Sequence, residues 1–209
     1  MKYLLRFCLL IVCIKGHAQI NLVPNPSFED TISCPNSGGQ VWKAKYWQTV
    51  SYSPDYFHVC NPFWNYSVPY NTFGFQWPNT GEAYMGLWSY SASSPYYREI
   101  IGSELYSSLI IGQKYFVNFK ANLAFNSNAG TNAACNRLGV LFSTINYLNN
   151  TFPILNGCQI YSDSILKDSL NWVSIHGSFI ADSAYAFISL GNFFSNANTD
   201  TFHLVNSNT

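Results

Sequence analysis

Residues 114–124 read KYFVNFKANLA. Tyr115, Val117, Phe119, Ala121 and Leu123 alternate with Phe116, Asn118, Lys120 and Asn122. A period of two with one largely polar side is the mark of a half-buried β-strand. Working outward, residues 138–143 (LGVLFS), 82–88 (EAYMGLW) and 96–101 (YYREII) read as further strands. In residues 172–180 (WVSIHGSFI), Val173, Ile175, Gly177 and Phe179 fall on one side, and 184–190 (AYAFISL) follows after a turn. Residues 201–204 (TFHL) begin a last strand, and residues 103–109 read as a single turn of helix. No stretch keeps a helical period over three turns. Short strands separated by Gly, Asn, Pro and Ser turns predict an all-β fold, an antiparallel β-sandwich. Residues 31–80 alternate poorly and are rich in Pro, Asn and aromatics. They are expected to form long ordered loops with short strands, pinned by a disulfide.

Composition narrows the class. The 209 residues are 48% hydrophobic and 18% aromatic, but only 10% charged, against about a quarter charged in ordinary soluble domains. Polarity is carried by Asn, Ser and Thr, which suits a β-rich extracellular protein. Residues 1–18 (MKYLLRFCLLIVCIKGHA) carry Lys2 and Arg6, a short apolar run, and small residues Gly16 and Ala18 before a cleavage point. This is the pattern of a signal peptide, so the mature chain is expected to be residues 19–209, a single domain that is secreted or held at the cell surface. The apolar run is too short to span a bilayer, and no membrane insertion is expected after cleavage. Without Lys2, Arg6 and Lys15, seven basic residues face ten acidic ones, a net charge of −3. No basic stripe remains, which argues against nucleic acid as a partner.

Cleavage also removes Cys8 and Cys13, leaving Cys34, Cys60, Cys135 and Cys158. Four cysteines in an oxidising compartment predict two disulfides, with three connectivities open. The sequential pairs Cys34–Cys60 and Cys135–Cys158 are favoured, each closing a loop worth about 3 kcal/mol in the chain-entropy model. The spacing is not that of a zinc knuckle.

Several stretches carry a resemblance. NLVPNPSFED (residues 21–30), followed by a tryptophan at Trp47, is similar to the opening of carbohydrate-binding modules with the galactose-binding-like jelly-roll fold. Residues 44–62, 68–88, 97–119 and 191–200 resemble a group of secreted Bacteroidota proteins. In that group the module precedes a type IX secretion sorting tail or an OmpA-like domain. The resemblance implies a non-catalytic, carbohydrate-binding jelly roll. It also implies a structural calcium at Glu29, shared with an acid of a closing Ile-Asp-Asp-Val-like strand. The sequence ends at Thr209 without that motif, which leaves Glu29 as the one matching ligand and raises the reading of a truncated larger protein with this chain as an accessory domain. No other cofactor is expected. Asp-Ser/Thr followed by an apolar residue, at residues 30–32, 163–165, 168–170 and 182–184, is similar to the O-glycosylation acceptor of secreted Bacteroidota proteins; Asp-Ser is equally at home in turns.

Catalytic patterns are poorly served. His58, His176 and His203 fall in different elements, and there is no Gly-x-Ser-x-Gly elbow, phosphate loop or HExxH. Paired carboxylates would have to come from Asp55, Glu82, Glu99 and Glu104. Glu99 is expected to pair with its neighbour Arg98, Glu82 to be solvated, and Asp55 to cap a turn. Binding residues are easier to find. NPFWNYSVPYNTFGFQWP (residues 61–78) holds seven aromatic side chains. Phe73, Phe75 and Trp77 alternate as a strand burying one face would. Trp64, Tyr66 and Tyr70, beside Asn65, offer the mixture of flat apolar faces and amides that a sugar needs, and are the candidate ligand residues. The partners expected are therefore glycan or, alternatively, a protein of the cell envelope.

Overall fold

A computed structural model describes residues 20–126, 131, 133–147 and 152–204. The expected signal peptide lies outside the described residues. The fold is all-β and antiparallel, as the alternation predicts; the described helical structure is two three-residue 3-10 turns at Val41–Lys43 and Asn196–Asn198. Thirteen strands are described: β1 (Gln48–Ser51), β2 (Asp55–His58), β3 (Tyr70–Asn71), β4 (Gly74–Phe75), β5 (Ala83–Gly86), β6 (Ile100–Glu104), β7 (Lys114–Ala121), β8 (Ala133–Cys135), β9 (Leu138–Ser143), β10 (Ile160–Tyr161), β11 (Val173–Ile180), β12 (Phe187–Asn192) and β13 (Thr201–His203).

A five-stranded sheet, ordered β1-β6-β12-β9-β10, is the base of the molecule. Its register decides what each face carries. Leu190 lies opposite Ile101 and Val140, and Ile188 opposite Phe142. Paired residues project to the same side, so these side chains share one face. Ile100 and Leu141, of opposite parity, project from the other. That second face is covered by Phe152, Phe193 and Phe194.

Two ribbons cover the first face. In β7–β11, eight residue pairs run in unbroken register from Val173↔Ala121 to Ile180↔Lys114. Tyr115, Val117, Phe119 and Phe179 pack on Val140, Phe142 and Ile188, while Phe116 points to solvent. The ribbon β2–β5 brings Tyr56, Ala83 and Met85 onto Ile101 and Leu190, beside Val41 and Trp47. Each buried ring or branched side chain removes apolar area worth about 2–3 kcal/mol from water, and this is the main adhesion between layers. Smaller ribbons, β3–β4 and β8–β13, complete the described sheets.

The opening segment is welded by one amide. Asn25 is buried; its Nδ2 donates to the carbonyls of Asp30 and Lys45, and its Oδ1 accepts from the Asp30 N–H. Its own carbonyl accepts the Trp47 indole N–H at 2.9 Å. Three expectations shift. The strand expected at residues 96–101 begins at Ile100 and runs through Glu104, which displaces the expected helical turn. Residues 184–190 become strand only from Phe187. The 73–77 strand shrinks to Gly74–Phe75.

Candidate functional site

The aromatic loop divides, but not where the alternation divides it. β3 and β4 form a short ribbon with Tyr70 opposite Phe75. The Tyr70 and Phe75 rings meet edge to face at 4.7 Å, and Phe75 meets Trp77 at 6.3 Å. All three lie open to solvent, with relative exposures of 63%, 50% and 58%. The expectation that Phe75 and Trp77 bury with Phe73 is therefore corrected: only Phe73 turns inward, edge-on to Phe57 and Trp88.

Of the candidate ligand residues, Trp64 and Tyr70 are exposed. Tyr66 is half-buried, with its ring stacked on Phe57 in the cluster around Val68 and Tyr84. Asn65 is half-buried and its carbonyl accepts from the Thr72 N–H and hydroxyl. The structure thus groups Tyr70 with Phe75 and Trp77 and puts Tyr66 into the packing beneath. The ribbon's backbone is fixed: the Trp77 carbonyl accepts the Trp172 indole N–H at 2.8 Å, and the Gln76 side-chain carbonyl accepts from Asn122 at 2.7 Å.

Behind this ribbon lies a cavity of about 730 Å³. Residues 84–87 line one side and residues 119–125 the other; Ile101, Leu138 and Leu190 of the five-stranded sheet line it too. Two carboxylates also reach it, Asp55 and Glu99. The expected Arg98–Glu99 ion pair does not form. Successive residues of an extended chain project to opposite sides, and the two side chains part. The Arg98 guanidinium donates to the carbonyls of Tyr97 and Phe194 and to Asn196 Oδ1, and stacks over Tyr90. Glu99 accepts from the Tyr97 hydroxyl, the Ser53 hydroxyl and the Trp88 N–H. Asp55, expected to cap a local turn, instead accepts the Gly39 N–H at 2.8 Å across sixteen residues.

Both acids are buried. Burial pushes the Asp55 carboxyl up to about 6; the Gly39 N–H opposes this and the Glu99 charge adds to it. Burial likewise raises Glu99, against its three donors. The one ion pair among the described residues joins Arg137 and Asp163, elsewhere on the surface. Among the described residues these acids therefore have no cationic partner, and sequence spacing gave no sign of their meeting: they are 44 positions apart, Asp55 opening β2 and Glu99 just ahead of β6.

The cysteines follow half of the expectation. Cys34–Cys60 is a disulfide. Cys135 and Cys158 are free thiols, which corrects the second pair. Cys135 ends β8 in the ribbon with β13, whereas Cys158 packs against the cluster of Phe152, Phe193 and Phe194 on the second face of the five-stranded sheet. The fold uses them as small apolar fillers in separate places. Burial raises Cys135 to about 11 and Cys158 to about 12, so both stay protonated and unreactive at neutral pH.

Glu29, the implied calcium ligand, braces a turn. Its Oε2 accepts the Glu82 N–H at 2.9 Å, while Oε1 is buried without a partner. Gly81 has φ +66°, and a Cβ there would sit 2.3 Å from the Glu29 carboxylate, so the turn closes tightly over it. Calcium takes six to eight oxygens. Among the described residues no group of three His, Cys, Asp or Glu side chains is placed to hold a metal ion. The histidines are dispersed: His58 is buried and its Nδ1 accepts the Cys60 N–H, whereas His176 and His203 are exposed. At Asp168 the turn account of the Asp-Ser motifs holds, since its carboxylate accepts the Leu170 and Asn171 N–H groups. No described helix is long and apolar enough to cross a membrane. No family model, curated protein or solved structure matches the chain.

Proposed function

We propose that the chain is an exported, non-catalytic β-sandwich module that binds glycan through the aromatic ribbon of Tyr70, Phe75 and Trp77, with Trp64 beside it in sequence. The observation that carries this reading is the three adjoining rings held open to solvent on a braced backbone. Exposed large rings in contact with one another are unusual where nothing covers them. A pyranose offers an apolar face to such rings and hydroxyls to neighbouring amides such as Gln76 and Asn122. Pre-fixed rings lose little conformational freedom on binding.

Export rests on the reading of residues 1–18, and the secreted Bacteroidota grouping on the quoted resemblance, which the Asn25–Trp47 weld supports because both belong to its opening pattern. The test is a glycan array followed by calorimetry. The parent chain binds at least one oligosaccharide, and Trp77→Ala and Tyr70→Ala each weaken it tenfold or more without lowering Tm, because both rings are exposed. Failure to bind any glycan, or full retention of binding in the Tyr70→Ala, Trp77→Ala double variant, overturns the reading.

A further inference from the structure

The cavity between the ribbons has the form of a missing strand. Side chains alternate along a strand, so a pocket over one face of a strand is lined by every second residue. Here residues 84, 85, 86 and 87 all line it, and so do residues 119 to 125 without a break. The cavity therefore runs along the edge of β5 at residues 84–86 and of β7 at residues 119–121, and on past the ends of both strands. Among the described residues β5 pairs only with β2, and β7 only with β11. None of the residues of β11 line the cavity, and β2 contributes only Asp55 and Phe57. The two edges that adjoin the cavity are thus the unpaired ones. Ile101, Leu138 and Leu190 line its base, and they are otherwise core positions of the five-stranded sheet.

We propose that this slot is an interaction site for one extended segment of another polypeptide, which adds as a strand between β5 and β7. An unpaired edge presents a row of N–H and C=O groups that templates pairing, and strand addition is a recurrent mode of peptide recognition. The occupant's chemistry follows from the walls. Its inward residues, every second one, are apolar, to cover Ile101, Leu138 and Leu190. About five residues fill the length, the usual span of a strand. Near Gly86, which pairs with Asp55, it carries a lysine or arginine. Asp55 and Glu99 are buried carboxylates with no cation, and the second oxygen of Asp55 has no hydrogen-bond partner among the described residues. Charge complementarity, not area alone, thus selects the partner. The slot adjoins the glycan ribbon, since Phe75, Gln76 and Asn122 line it, but it is built on main-chain edges and does not rest on glycan binding.

The test begins with random decapeptides displayed on phage and selected against the purified chain. Enriched sequences are expected to alternate apolar residues with period two, to exclude central proline, which lacks the N–H, and to carry one basic residue. A synthetic peptide of the enriched sequence is expected to slow exchange of the outward-facing amides within residues 84–87 and 119–121. N-methylation of alternate residues is expected to weaken it tenfold or more, and Asp55→Asn to remove the preference for the basic residue. Trp77→Ala leaves peptide binding unchanged, which separates this site from the glycan ribbon. Enrichment without alternation, binding that leaves those amides exchanging as before, or protection of the same amides by an oligosaccharide in place of the peptide overturns the proposal.

Discussion

Asp55 and Glu99 carry charge where the surroundings give no counter-charge, and the consequence is readable in solution. A carboxyl whose folded value is raised binds its proton more tightly in the folded state. Stability from Asp55 is thus fully present below about pH 3.8 and lost as pH rises through about 6. Two units correspond to about 3 kcal/mol, and Glu99 acts in the same direction. Asp55→Asn keeps an acceptor for the Gly39 N–H and removes the buried charge. Thermal melts across pH 4 to 8 are expected to show a flattened profile in the variant and a Tm several degrees above the parent at pH 7.5; an unaltered profile would contradict the buried charge. This pair was not legible in the sequence. Adjacency suggested Arg98 for Glu99, but adjacency in an extended chain separates side chains, and the true neighbour is set by which strands cross.

At the level of elements, β7 and β11 were legible because each has a layer behind one face only. Burial on one face and water on the other writes a period of two into the sequence. β3–β4 has the same period and no layer behind it, so Phe75 and Trp77 alternate like core residues and stand in solvent. Pattern reports backbone geometry; burial depends on what lies opposite. The two faces of β7 make a direct check. Phe119→Ala opens space against the cluster beneath the ribbon and is expected to cost about 2–4 kcal/mol, whereas Phe116→Ala, three positions earlier on the exposed face, is expected to change stability by about 0.5 kcal/mol or less. Chemical denaturation of the two variants decides whether the register is as described.

For the whole molecule, the cysteine count was legible and the pairing only in part, since four cysteines do not say which sit within bonding reach after the layers assemble. Mature chain in denaturant is expected to titrate two thiols, at Cys135 and Cys158, and the double serine variant at these positions to keep its fold; Cys34→Ser is expected to cost about 2–5 kcal/mol. No thiols at all would restore the second bridge. The Cys34–Cys60 staple encloses β1 of the five-stranded sheet and β2 of the ribbon above it, so one covalent ring passes through both layers. This has a mechanical meaning. A molecule pulled from its two ends cannot pay out the 26-residue span inside that ring, a length of about 90 Å when extended. Force spectroscopy before and after reduction should differ by that contour length, and the oxidised molecule should remain the shorter tether.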